Sequence, residues 1–377
     1  MAFLNFPAWR SITAMLSLAL CLCMFTACSD DDDDEGSAFG SETAGQVTTS
    51  EGTTLYITSA GYYDFEYEDG YLVAFDDGEY DYEVTYNPFT ITYTYGDPDE
   101  DEDYEVYTIS NIKLNSSGYI TSFSISDEYQ HISENNYSDY YDLNGSADFS
   151  YDSDGHLLKI SVSNSGSVKY INYNHEEDSE SYSFSVSVTT TNTWDNGLLY
   201  KTEYEYSEKE SGYSEKVQCT DTYEYDTTYP NVTYQFTPNN LGFVGDWGSD
   251  FELFGSDFGL LEPLAIIGYL GKGPSYHPTG CESEYAEYED GELCDDGDAS
   301  YSYKYDINSD GTVSKSYYKS GSKWYSESFT YSLLSSTRAP YMIDTDETQP
   351  AMHKPHALFR KMLSRRNIVY PFSVAPE

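Results

Sequence analysis

The stretch YSYKYDINSDGTVSKS (301–316) decides the fold. Asp306, Asn308, Asp310 and Gly311 match the first half of an EF-hand calcium loop. Such a loop needs a bidentate carboxylate at its twelfth position, and counting from Asp306 that position is Tyr317. Upstream, Tyr301, Tyr303 and Tyr305 alternate with Ser and Lys, which is a strand period where an EF-hand requires helices. The stretch therefore reads as a β-hairpin turn. Weak calcium binding by Asp-rich turns is the second reading, and no dedicated metal site is expected.

The same turn recurs at Gly70, Gly118, Gly155, Gly197 and Gly291. Asp or Asn sits in the two residues before each glycine except Gly118, where Asn115, Ser116 and Ser117 take that part. Asp, Asn and Ser bend the chain through local side-chain hydrogen bonds, and Gly accepts the positive φ of a primed or bulged turn. Two residues after each glycine comes an aliphatic residue: Leu72, Ile120, Leu157, Leu199, Leu293 and, after Gly311, Val313. It restarts a strand on its buried face. An aromatic or aliphatic residue precedes each turn: Tyr67, Leu114, Tyr151, Trp194, Tyr288 and Tyr305. Between turns the alternation is clear. Phe184, Val186 and Val188 alternate with Ser, while Glu separates Tyr204 from Tyr206 and Tyr223 from Tyr225. The expected fold is all-β, an antiparallel meander of hairpins forming a barrel-like or strongly twisted sheet. A short helical or loop insertion around 240–278 breaks the pattern, because its glycines and Pro263 forbid a long helix. It reads as a plug or cap over the core. The other reading is a ligand groove lined by Trp247, Phe251, Phe254 and Tyr269.

Composition narrows the partners. The chain has 66 Asp and Glu against 18 Lys and Arg, a formal charge of −48. A field of that sign repels nucleic acid and anionic membrane surfaces and leaves cations, basic proteins and neutral glycans as partners. Leu, Ile and Val are sparse, but there are 42 Tyr, which favour strands and bury a large ring while the hydroxyl stays wet.

Residues 1–27 read as an export signal. Arg10 precedes an apolar run from Met15 to Phe25 that is short for a membrane span, and Phe25-Thr26-Ala27-Cys28 resembles a bacterial lipobox. Cleavage there makes Cys28 the lipidated N-terminus, anchored to the bilayer through its acyl chains. Ser29 followed by Asp30, Asp31 and Asp32 resembles the surface-export signal of Bacteroidetes lipoproteins; the plainer reading is a solvated spacer. Residues 28–54 form an acidic and Gly/Ser/Thr-rich tether, 55–337 the hairpin domain, and 338–377 a basic tail in which 356–366 has the pattern of a short amphipathic helix. In an oxidising compartment Cys281 and Cys294 are close enough in sequence to close a hairpin loop, and Cys219 reads as a buried free thiol.

The hairpin YDSDGHLLKIS (151–161), then YPNVTYQF (229–236), then FGSDFGLLEPLAIIGYLGKGPSYHP (254–278) and the opening stretch together resemble the DUF4595 family of Bacteroidetes lipoproteins over residues 147–335. The resemblance implies a porin-like β fold of unknown function and supplies no catalytic residues. A lipid-embedded barrel fits the residues poorly, since its strands would turn Glu, Asp and Lys to the lipid. No Walker loop, dinucleotide fingerprint, zinc-protease helix or nucleophile elbow is present, so no enzyme activity and no cofactor are expected. The reading is an outer-membrane, lipid-anchored protein facing the cell exterior, a non-catalytic module that binds a glycan or an envelope protein. The alternative is a structural or envelope-assembly lipoprotein.

Overall fold

The computed structural model describes residues 44–333, apart from 62, 77–80, 96–103, 134–136, 173–179, 211, 238, 240–260 and 321. The strands begin with β1 (Gln46–Thr48), β2 (Thr54–Ala60), β3 (Tyr63–Glu68), β4 (Tyr71–Asp76), β5 (Asp81–Tyr86) and β6 (Phe89–Tyr95). Longer ones follow: β7 (Tyr104–Leu114), β8 (Ile120–Ser133), β9 (Tyr137–Tyr151), β10 (Leu157–Asn172), β11 (Glu180–Asp195), β12 (Leu198–Glu210) and β13 (Tyr213–Glu224). After the helix α1 (Leu261–Ile266) come β14 (Gly280–Glu289), β15 (Glu292–Ile307), β16 (Val313–Ser320) and β17 (Lys323–Ser332).

From β2 onward each strand pairs antiparallel with the next, and β17 returns to pair with β2, closing a barrel of 16 strands. The meander expected from the sequence is thus a closed barrel. β1 falls within the stretch assigned to the tether; it pairs with β2 through Gln46↔Tyr56 and Val47↔Leu55, so the folded part starts earlier than residue 55.

Alternation sets the two faces. On β11, Tyr182, Phe184, Val186 and Val188 are buried, while Ser181, Ser183, Ser185 and Ser187 are exposed. On β12, Tyr204, Tyr206 and Glu208 point inward and Glu203, Glu205 and Lys209 outward. A lipid-embedded barrel needs an apolar band outside. On these strands the apolar residues are inside and the outer face is hydroxylated and charged.

The six recurrent turns fall into two geometries. Asp69-Gly70, Asn196-Gly197 and Asp290-Gly291 each have φ positive at both residues, 52° and 90°, 51° and 76°, 48° and 83°, as a two-residue primed turn demands. The turns 115–119, 152–156 and 308–312 are longer. In each, the first residue pairs its N–H with the fifth carbonyl and accepts from the glycine N–H, as in Asn308 N to Thr312 O at 2.8 Å and Gly311 N to Asn308 O at 3.0 Å. The opening question is answered here. Asp310 accepts from the Thr312 amide at 3.0 Å and hydroxyl at 2.7 Å, and Tyr317, in the place of the twelfth ligand, donates to Asp306 at 2.6 Å. The carboxylates serve the hairpin.

Five of these turns lie at one end of the barrel, each linking an odd-numbered strand to the following even one. The turn at Gly291 links β14 to β15 and lies at the other end. Burial follows this division. Leu72, Ile120, Leu157, Leu199 and Val313 are fully buried, whereas Leu293 is 55% exposed. The reason is the cap. α1 ends at Gly268 (φ 86°), where Gly268 N bonds Ala265 O at 3.0 Å and Tyr269 N bonds Leu264 O at 2.9 Å, the paired bonds of a Schellman stop. The chain then crosses the rim turn by turn. Tyr269 O accepts from Ile120 N at 2.9 Å, Lys272 N donates to Gly155 O at 2.9 Å, and Ser275 N donates to Gly197 O at 2.9 Å. A Cβ on Gly271 would lie 2.6 Å from Gly155 O, so only glycine lets the two backbones approach this closely.

A second set of bonds runs around the same rim. The carbonyl of each buried aliphatic residue accepts from an aromatic side chain: Leu72 from Tyr86 (2.8 Å), Ile120 from Tyr151 (2.6 Å), Leu157 from Trp194 (2.9 Å), Leu199 from Tyr225 (3.0 Å) and Val313 from Tyr331 (2.9 Å).

The bridge between Cys281 and Cys294 does not form. Cys281 stands opposite Tyr301, while Cys294 lies where Glu287 pairs, its thiol 3.2 Å from the Glu287 carbonyl. That offset is about 20 Å along the strand, far beyond disulfide reach. Both are free thiols, as is the buried Cys219.

The rim carries the stability. Leu157→Ala is expected to cost about 2–5 kcal/mol, whereas Leu293→Ala costs less than about 0.5 kcal/mol. Tyr151→Phe, which strands the Ile120 carbonyl, costs about 1–3 kcal/mol. Urea unfolding of the three variants measures the order.

Candidate functional site

Several residues singled out in the sequence lie outside the described residues: Cys28, Ser29, Asp30, Asp31, Asp32, Trp247, Phe251 and Phe254, and the tail helix at 356–366. Tyr269 is described and does not line a groove. It is fully buried, its ring packs 5.8 Å from Phe89, and its hydroxyl lies 3.3 Å from that of Tyr86. Residues 261–279 cap the rim, while 240–260, the rest of that insertion, lie outside the described residues.

The inner wall is aromatic and acidic. Glu105, Asp127, Glu208, Glu215 and Asp221 are all buried on it. Tyr206 donates to Glu208 at 2.9 Å and Tyr213 to Glu215 at 3.1 Å. Asp221 sits opposite Ser283, beside the Cys219 thiol, and burial pushes its carboxyl up to about 7. His277 stacks on Tyr305 at 4.6 Å, with neither ring nitrogen hydrogen-bonded among the described residues. Burial pushes His277 down to about 3, so the ring is neutral. These side chains are buried in the wall of the barrel.

Among the described residues, exposed aromatic and cationic side chains gather on β12–β17, toward the end away from α1. Trp324 is 41% exposed on a face it shares with Ser326, Ser328 and Thr330. It pairs in register with Lys319 of β16, yet Lys304 of β15 lies 4.2 Å from its ring centre. Strands two apart are separated by about 10 Å. The two side chains therefore lean toward one another across β16. Beside them Tyr317 is held by its bond to Asp306, with the Lys315 ammonium 5.9 Å from its ring. On the opposite face of the same hairpin, Tyr318 and Tyr325 stack at 5.0 Å, and Tyr325 is 44% exposed.

A concavity of about 330 Å³ opens on the outer face of β12, β13 and β14. Ser207, Lys209, Ser214, Lys216, Gln218 and Tyr288 line it. Register brings them together, since Ser207 pairs with Lys216 and Lys216 with Tyr288. The Lys216 hydrogen bond holds Glu205 below the usual carboxylate range.

Among the described residues, two clusters have donor atoms close enough for a metal. Asp152, Asp154 and His156 are one, Glu287, Glu289 and Cys294 the other. In the first, Asp152 Oδ1 accepts from the amides of Asp154 (2.8 Å) and His156 (2.9 Å), and Oδ2 meets His156 Nδ1 at 2.9 Å. The carboxylate is used in folding the turn. His156 in turn stacks on Trp194 at 4.3 Å.

No family model and no curated protein matches the chain. Two solved structures, both of porin-like proteins, are similar to it. That from Bacteroides vulgatus is 13% identical, with a TM-score of 0.38 over 77% of this chain and 99% of that one. That from Bacteroides uniformis is 9% identical, with a TM-score of 0.23 over 64% of this chain and 94% of that one. Likeness at this level carries no conclusion about activity. The DUF4595 resemblance rests on the sequence stretches alone.

The buried His277 and Asp221 predict opposite pH limbs. The His277 contribution to stability is full above about 6.5 and is lost as pH falls toward 3. The Asp221 contribution is full below about 3.8 and is lost as pH rises through about 7. Urea midpoints across pH 3–8 should show His277→Phe losing the acid limb and Asp221→Asn flattening the fall toward neutrality.

Proposed function

We propose that this chain is a lipid-anchored outer-membrane protein facing the cell exterior, whose barrel is a non-catalytic binding module for a glycan or an envelope protein. The observation that carries the reading is Trp324. A tryptophan on the outer face of a strand gains little from packing there. Its ring lies across β16 against the Lys304 ammonium, which limits its motion. A held, exposed aromatic face is suited to the apolar side of a sugar ring or to a partner side chain. The lipobox-like stretch ending in Cys28 supports the anchor, and the Ser29-Asp30-Asp31-Asp32 run supports export to the outer face. The charge of −48 argues against a nucleic-acid partner. Catalysis is no part of the proposal.

The second reading is a structural or envelope-assembly lipoprotein, favoured by a wall sealed at one end and covered outside with hydroxyls. Glycan titration followed by Trp fluorescence separates the two. Quenching by a glycan, with Trp324→Ala weakening binding about tenfold or more and leaving the circular dichroism unchanged, supports the binding module. Copurification with an outer-membrane protein and no glycan response supports assembly. Protease shaving of intact cells tests the location: a protein protected until lysis faces inward, and export to the surface is then wrong.

A further inference from the structure

The outer concavity on β12–β14 gathers two lysines, two serines, a glutamine and a tyrosine. Its two cations are treated differently by their neighbours. Lys216 is paired with Glu205 at 2.9 Å, and Gln218 donates to the same carboxylate oxygen at 2.9 Å. Glu205 thereby orients both side chains at the edge of the concavity. Lys209 is exposed and makes no ion pair among the described residues. The nearby Asp290 carboxylate is occupied: it accepts from the Ser214 amide at 2.9 Å and lies 3.4 Å from the Ser214 hydroxyl, fixing the Asp290-Gly291 turn against β13. Glu215 contributes to the lining but is itself buried, its carboxylate bonded to Tyr213 on the inward side. One uncompensated positive charge remains, among hydroxyls, an amide and the Tyr288 ring.

We propose that this concavity is a subsite for a singly charged acidic sugar unit. The Lys209 ammonium meets the carboxylate, Ser207 and Ser214 bond ring hydroxyls, and Tyr288 covers a sugar face. At about 330 Å³ the space is at the lower end of the range for ligand pockets, about 300–1,000 Å³, and suits a monosaccharide-sized group. The net charge selects among acidic glycans. A polymer charged at every unit is repelled by a molecule of formal charge −48. A single carboxylate at Lys209 is decided locally, because the distant charges are screened beyond about 8 Å at physiological salt. The ligand class is thus an isolated uronate-type unit flanked by neutral sugars. The subsite is separate from the Trp324 face, and either can fail without the other.

Calorimetry of the full chain with methyl β-glucuronide and its neutral isostere methyl β-glucoside tests the proposal. Titration to about 10 mM detects a site as weak as a Kd of about 1 mM. The glucuronide is expected to bind about tenfold more tightly than the glucoside, an advantage that Lys209→Gln abolishes and Lys209→Arg keeps. Tyr288→Ala weakens both ligands, and Trp324→Ala changes neither. Equal affinity for the two sugars, no heat from the glucuronide, or an advantage that survives Lys209→Gln overturns the proposal. Acetate competing as well as the glucuronide overturns the sugar assignment and leaves a bare carboxylate site.

Discussion

A hydrogen bond from an aromatic side chain to a backbone carbonyl, made five times around one rim, fixes the closure of this barrel. The chain itself joins β7 to β8 and β9 to β10 at that rim, but β8 and β9 are joined only at the far end. Tyr151 at the end of β9 donates to Ile120 at the start of β8 and ties the two where no loop does. Tyr86, Trp194, Tyr225 and Tyr331 repeat the arrangement between β5 and β4, β11 and β10, the end of β13 and β12, and β17 and β16. The acceptors belong to fully buried residues next to bulges, where the ladder slips by a residue and cannot supply a donor. Water cannot reach them, so a side-chain donor is obligatory. An aromatic donor brings its own apolar cover as well.

This constraint explains part of the abundance of tyrosine in the chain. A tyrosine at the rim closes a gap between hairpins, satisfies a carbonyl and fills volume beneath the cap, three tasks that Leu or Val cannot combine. It also explains why the same turn behaves differently at its two addresses. The turn at Gly291 has the chemistry of those at Gly70 and Gly197, but among the described residues no cap lies over it and Leu293 faces solvent. Turn chemistry sets the local bend. The cap decides whether the residue after it becomes core.

Much of this was legible in the residues. The turn glycines, the aliphatic residue two positions on and the period of two place the strands, but they do not separate a closed barrel from a strongly twisted sheet. What the pattern did not show is which end each turn occupies, although counting hairpins from the first strand would have separated Gly291 from the rest. The cysteine pair was misjudged because proximity in sequence was taken for proximity in register, and along a long hairpin the two diverge. Trp324 did leave a signal: it alternates with Ser326 and Ser328, the polar face, where a core aromatic does not belong. The concavity left none. Ser207, Lys216 and Tyr288 converge only through the pairing of three strands, one of them separated from the others by the whole cap.

The distribution of cost between the ends points to where function lies. At the capped rim the aliphatic residue after each turn is buried and its carbonyl is bonded, so those residues are accounted for by folding. At the other end, the outer wall exposes a tryptophan and leaves Lys209 without a counter-charge in a chain where carboxylates outnumber cations 66 to 18. Among the described lysines only Lys201 and Lys216 make an ion pair, so it is the concavity around Lys209 that sets it apart. Neither feature improves packing, and neither is needed to hold register, which the rim already fixes. The proposed binding role draws on these residues, which the capped rim does not use.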